Sequence, residues 1–481
     1  MLNALRHQVM PQRCGAGTRG SRVPCALWFN IFVTVTELPA THLATRTTSW
    51  AVFSAFVIAT LVRGTGIFAY DAYGYWTAAQ RVVGSAPASP AGFWELRGVL
   101  AGFVYVPAAA LSRLIGPASA GFSVLLQNSL VLAWVAAFLL PRVIRPWGPA
   151  SSRTRWLGAF LIWLTVGGFA RYPLIDIYAA IACVVIVLLL RSRRMMSLAI
   201  AGLVGGIAVN LRPAYMVTVL IIAVLAVAWR RWAGLLVPAG IAVGLVPQVV
   251  FNLIRYDTWS VSPAGSGGLV ALQAGFASYL VRYDTVLGSA SPMQSYCSPS
   301  MAERIGSPLP SSMDQLASAF LGHFPTAVVF SLEKVSTALH WPMSAPYATP
   351  TPGLDALFAA LITAITVVGL AALIRLAIRV RRPPSSERWF GWAIIAAVVI
   401  GAVLTLVSSA TETRFALPLV LLGAIGCTTL VGIDLGQAWT RGRNWAVGTL
   451  IILLGVTTMG YAGLSHPAPS GAVNVVMCAA L

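Results

Sequence analysis

Charge is scarce in this sequence. Charged residues fill 9% of its 481 positions, against about 25% in a soluble domain, which excludes a water-facing surface for most of the chain. Lysine is almost missing, since Lys334 is the one basic residue of 32 that is not arginine. That bias suggests a GC-rich genome and a bacterial plasma membrane. Acids number 13, so the formal net charge is +19. The basic residues sit in short clusters between apolar stretches and not in one patch, which argues against nucleic acid as a partner. The six cysteines lack metal-ligand spacing, and no metal site is expected from them. Cys183 and Cys427 fall in apolar stretches as small buried side chains. Cys297 and Cys478 fall on the same side of the expected membrane, where a disulfide is open but no pattern requires it. An internal repeat is also lacking, which weakens a reading as a transporter built from duplicated halves.

What is present is apolar: 58% hydrophobic residues and a mean hydropathy of +0.81. A spanning helix needs about 20 mostly apolar residues. Stretches of that kind cover 50–68, 120–140, 156–170, 174–190, 195–211, 213–229, 232–252, 353–374, 389–409, 416–434 and 445–463. The expected fold is an all-α polytopic membrane protein of about eleven spans. The apolar segment 99–115 is read as a helix lying in the membrane plane. With that reading, the arginine clusters near 142–155, 191–194, 230–231, 375–388 and 441–443 fall on one side, and only Glu37, Glu387 and Asp434 of the acids join them. Such sidedness puts the N-terminus in the cytoplasm and the C-terminus outside.

The expected organisation follows. Residues 1–48 are a basic cytoplasmic tail without fixed structure, whose apolar run 26–35 is too short to span. A transmembrane body occupies 49–463, and 464–481 form an outer tail. Two outer segments stand out within the body: a first loop over 69–119 and a long one, rich in Ser, Pro and Gly, over 253–352.

Candidate chemistry gathers on the outer side. Asp71 leaves the first span in the stretch Tyr70-Asp71-Ala72-Tyr73-Gly74-Tyr75-Trp76, with Tyr75 one turn on and on the same face. A carboxylate there can act as a general base or simply cap an interfacial helix. Glu95 and Arg97 follow, either pairing with each other or meeting substrate. Arg171 and Arg212 each precede or adjoin a proline at a tight outer turn, where a guanidinium fork suits phosphate or snorkels to lipid head groups. Glu412 and Arg414 share the late outer turn Thr411-Glu412-Thr413-Arg414-Phe415.

In its order and sidedness, this layout resembles the GT-C class of membrane glycosyltransferases, across about 49–463. The local matches are Asp71-Ala72-Tyr73-Gly74-Tyr75-Trp76 with Tyr105-Val106-Pro107, then Leu211-Arg212-Pro213 and Glu412-Thr413-Arg414-Phe415-Ala416-Leu417-Pro418. The resemblance is strongest to mannosyl- or arabinosyl-type transferases. It implies in-plane helices in the first outer loop and transfer of a sugar from a polyprenyl phosphate donor to an acceptor hydroxyl on a glycan, lipid or protein, with inversion. It further implies Asp71 as catalytic base and Arg212 and Arg414 on the leaving phosphate, with Glu412 orienting Arg414. Tyr75, Glu95, Arg97 and Arg171 complete the expected substrate site. Several branches of the class pair two adjacent acids, whereas Asp71 stands between Tyr70 and Ala72, so a divalent cation is left open and no metal ligands are assigned. Two other readings stay open. One is a polysaccharide ligase or polymerase using Arg282, His323 or His340 of the long loop. The other is a transporter or flippase of lipid-linked sugars.

Overall fold

The structure, a computed structural model, describes residues 40–85, 92–144, 151–192, 194–287, 293–349, 353–379, 386–431, 435–468 and 474–481. The chain parts into two units, Met1–Thr47 and Thr48–Leu481. The expected tail lies outside the described residues apart from its last few, as do Arg145, Arg193, Arg381 and Arg382 of the basic clusters.

The described residues are mostly helical. In chain order the main helices are α1 Ala40–Leu61, α2 Tyr70–Val82, α3 Val106–Ile115, α4 Ala120–Trp134, α5 Ser152–Val166, α6 Asp176–Leu190, α7 Met195–Leu211, α8 Met216–Arg230, α9 Leu236–Tyr256 and α10 Ser266–Ala277. An antiparallel hairpin of β1 Leu280–Thr285 and β2 Met293–Cys297 follows. Then come α11 Pro299–Ile305, α12 Met313–Gly322, α13 Phe324–Leu339, α14 Leu354–Arg379, α15 Ser386–Val407, α16 Leu417–Thr428, α17 Leu435–Gly463 and α18 Val475–Ala479.

Five helical stretches among the described residues are long and apolar enough to cross a membrane, or six if the bent pair α12–α13 counts as one. The protein is therefore an all-α polytopic membrane protein. Several expected spans form shorter helices. α5 and α6 have 15 residues, α7 has 17 and α16 has 12. At about 1.5 Å per residue these fall short of a hydrocarbon core of about 30 Å. Some are lengthened by 3-10 turns at one end, as where Gly167–Arg171 continues α5. Conversely, the two expected spans 213–229 and 232–252 belong to one apolar stretch of 44 residues, broken where Arg231 takes φ 53°.

Close helix contact holds the body together. α7 and α9 cross at Gly202/Gly206 and Gly240/Gly244, glycines four apart on each helix. A Cβ at Gly202 would lie 2.1 Å from the Val237 carbonyl oxygen, and one at Gly206 would lie 2.4 Å from that of Ile241. Without hydrophobic gain between lipid-facing helices, such approach lets dispersion contacts accumulate. The described residues of the long segment 253–352 are folded: β1 and β2 pack on α11 and on α18, and Cys297 forms a disulfide with Cys478. The expected in-plane stretch 99–115 consists of a 3-10 turn, Val99–Phe103, and the ten-residue α3.

Candidate functional site

The first site element is the start of α2. Tyr70 takes φ 51°, a left-handed conformation uncommon for a bulky residue. Here the Tyr347 hydroxyl fixes the turn, donating to the Ala69 carbonyl at 3.1 Å and accepting from the Ala72 amide at 3.1 Å. Asp71 thereby occupies the first helical turn, where the macrodipole favours negative charge. Its side chain makes no helix cap. Instead Oδ1 accepts from Arg97 Nη2 at 2.6 Å, and Oδ2 from Arg414 Nη2 at 2.8 Å.

Arg97 is held by its own neighbours. The Val99 amide donates to Gln248 Oε1 at 2.8 Å, and the Leu100 amide to Asn210 Oδ1 at 2.9 Å. Gly98 lies so close to α7 that a Cβ there would come within 1.7 Å of the Asn210 carbonyl oxygen. Arg97 is thus tied by backbone to α7 and α9, and its partner is Asp71, not Glu95.

Arg414 sits in the 3-10 turn Thr413–Ala416 that leads into α16. Glu412 grips it with both oxygens, at 2.6 Å to Nε and 2.7 Å to Nη2. The Tyr283 hydroxyl of β1 donates to the same carboxylate, and the Tyr283 amide bonds the Thr411 carbonyl at 2.9 Å. Asp176, in the first turn of α6, forms an ion pair with Arg212 Nη2 at 2.8 Å and lies 3.9 Å from Arg414 Nη1. Arg212 also stacks over Phe415 at 4.9 Å. Three carboxylates and three guanidinia from distant stretches form one network.

Burial would raise the Asp71 carboxyl, but Arg414, Arg97 and Arg212 outweigh it and hold the group well below the usual carboxylate range. Its side chain stays 23% exposed, whereas that of Arg414 is 5% exposed, so Asp71 is the accessible acid of the network. Burial, and then Glu412, pushes the Tyr283 hydroxyl well above its ordinary value; it stays a donor. Asp176 Oδ2, Arg212 Nε and Arg414 Nη1 have no hydrogen-bond partner. They border a cavity of about 10 Å³ lined also by Thr218, Thr405 and Phe415, room for about one water.

Of the eight expected site residues, Asp71, Arg97, Arg212, Glu412 and Arg414 come together. Tyr75 packs beneath them, fully buried with an unbonded hydroxyl. Glu95 is exposed, and its carbonyl accepts from the Gly265 amide. Arg171 bonds the Thr65 carbonyl at 2.9 Å, away from the network. Asp176, Tyr283 and Tyr347 were not foreseen. For Asp176 a signal existed: an acid inside an apolar span is a functional candidate by default. Among the described residues no group of three or more His, Cys, Asp or Glu could hold a metal. No protein-family model, curated protein or solved structure matches the chain.

Proposed function

We propose that this chain is a GT-C-like membrane glycosyltransferase with about eleven spans, working at the extracytoplasmic face of a bacterial plasma membrane. Its donor is a polyprenyl phosphate sugar and its acceptor a hydroxyl. The observation that carries the reading is the network that joins Asp71, Arg97, Arg212, Glu412 and Arg414, from four separate stretches, with the partly open Asp71 carboxylate held by Arg97 and Arg414.

The chemistry is an in-line displacement. The acceptor oxygen attacks the anomeric carbon while Asp71 takes its proton. The bond from the anomeric carbon to the phosphate oxygen breaks, and the electron pair leaves on the phosphate. Arg414 and Arg212 neutralise that developing charge, with Glu412 fixing the Arg414 fork. In the paired state Asp71 is a weak base, because two guanidinia stabilise its anion. A donor phosphate competes for the same guanidinia, so its arrival raises the basicity of Asp71. The cavity by Arg414 is too small for a phosphate, which favours such an exchange of partners.

A second cavity, of about 160 Å³, supports a lipid-borne donor. It is mostly apolar and runs between α8 and α9, from Met216 and Leu220 to Gly98 and Asn210. Its lining residues Gly98 and Pro213 adjoin Arg97 and Arg212 in sequence. The ligase reading draws less support, since Arg282 is buried and bonded to both oxygens of Asp284 and to the Thr337 and His340 carbonyls.

The test is transfer from a panel of polyprenyl phosphate sugars by purified protein in bilayers, with Asp71→Asn alongside. Transfer by the parent that falls by about 100-fold or more in the variant, with unchanged folding, supports the reading. Transfer that survives Asp71→Asn removes Asp71 as base.

A further inference from the structure

Two arginines outside the network flank one turn: Arg63 enters it with its guanidinium against Gly167, and Arg171 bonds the Thr65 carbonyl within it. Arg63 follows α1, and Arg171 ends the 3-10 turn after α5. The turn at 64–66 runs against Arg171 and Tyr172. A Cβ at Gly66 would lie 2.7 Å from the Tyr172 ring and 2.8 Å from the Arg171 carbonyl oxygen. Only glycine permits that approach.

Both guanidinium heads are pinned. Arg63 lies over the Trp163 ring at 4.0 Å and donates to the Trp163 carbonyl at 2.9 Å. Its Nη1 is 3.5 Å from Ser344 Oγ. Arg171 donates from Nη2 to the Thr65 carbonyl at 2.9 Å, while its buried Nε has no hydrogen-bond partner. Each guanidinium lies within electrostatic range of the other. Among the described residues no carboxylate pairs with either one.

Holding two like charges together at fixed positions is unfavourable unless an anion joins them. Simple snorkelling needs free stems that reach water separately, and these heads are tied to carbonyls instead. A phosphate presents several oxygens, each of which a guanidinium fork accepts. We infer that Arg63 and Arg171 form a second oxyanion site, which binds a phosphate group apart from the Asp71 network. The phosphate belongs either to an anionic lipid head group or to a soluble phosphate.

The test is native mass spectrometry of the full chain released from detergent, titrated with phosphatidylglycerol and, separately, with inorganic phosphate. Arg63→Gln, Arg171→Gln and a control at exposed Arg113, Arg113→Gln, are compared with the parent. One binding event is expected to weaken about tenfold in either of the first two variants and to persist in the control. Loss of the phosphatidylglycerol event with no competition by inorganic phosphate identifies a lipid head group. Competition by inorganic phosphate identifies a soluble oxyanion. Thermal melting in the presence of each anion gives a second readout, since the anion stabilises the parent by relieving repulsion. Arg171 is half-exposed, so Arg171→Gln decides the matter if Arg63→Gln does not fold. Equal binding and equal thermal shifts in the parent and Arg171→Gln overturn the inference.

Discussion

Arg414 reaches the Asp71 carboxylate at 2.8 Å across 343 positions of chain. It does so while Glu412 occupies Nε and the same Nη2. A lysine cannot serve two carboxylates through a planar fork. Arg414→Lys is therefore expected to lower transfer about 100-fold and to lower the melting temperature as well. Steady-state transfer beside a melting curve checks both, and unchanged rates would remove Arg414 from phosphate binding.

The depressed Asp71 carboxyl fixes the sign of a pH effect. Its ordinary value is 3.8 and the folded value is lower, so its contribution to stability is present above the ordinary value and lost as pH falls below it. The stability gap between the parent and Asp71→Asn is expected to stay flat above about pH 5 and to shrink at lower pH. Transfer adds a sharper check. In the free protein Asp71 stays ionised far into acid, whereas under the proposed exchange a bound phosphate would draw its arginines away. The acid limb of kcat should then lie at higher pH than that of kcat/KM. Coincident limbs would argue against partner exchange.

Lys334 is fully buried in α13 and donates to the carbonyls of Ala277, Val407 and Ser409, at 3.0, 3.1 and 2.7 Å. It ties α10 and the end of α15 to α13. Lys334→Met leaves three carbonyls without their donor, and a loss of about 3 kcal/mol is expected. Thermal or denaturant unfolding in detergent measures it.

The Cys297–Cys478 disulfide joins residues 181 apart. Cys297→Ser, Cys478→Ser and the double variant should each lose about the same stability, roughly 4 kcal/mol. Additive losses in the double variant would mean that the two thiols act separately.

At the α7–α9 crossing, Gly206→Leu forces side-chain atoms against the Ile241 carbonyl. A loss of about 2 kcal/mol is expected, together with weaker transfer, since Asn210 and Gln248 on these helices hold the segment after Arg97. Activity and melting measured on one preparation would reveal the coupling.

Much of the site was legible because charges are rare here. In a chain so apolar, an acid or arginine beside a span stands out, and Asp71, Arg212, Glu412 and Arg414 could be placed on one side from alternation alone. The pairing was less legible. Arg97 follows Glu95 by two residues, yet it turns to Asp71 because the backbone after Gly98 is anchored on α7. Tyr283 and Tyr347 lie in the long segment whose fold depends on non-local contacts, including the disulfide, and no local pattern encodes those. Helix lengths also escaped the sequence. Hydropathy marks apolar stretches but does not register where 3-10 turns or a positive φ at Arg231 interrupt them.

The three carboxylates of the site network, Asp71, Asp176 and Glu412, face three guanidinia, Arg97, Arg212 and Arg414. Their formal charges cancel, although the whole chain carries +19. A neutral cluster projects little field beyond its own contacts, so it does not steer an anion from a distance. Capture of a charged ligand by this network should then depend only weakly on ionic strength, with recognition beginning at contact.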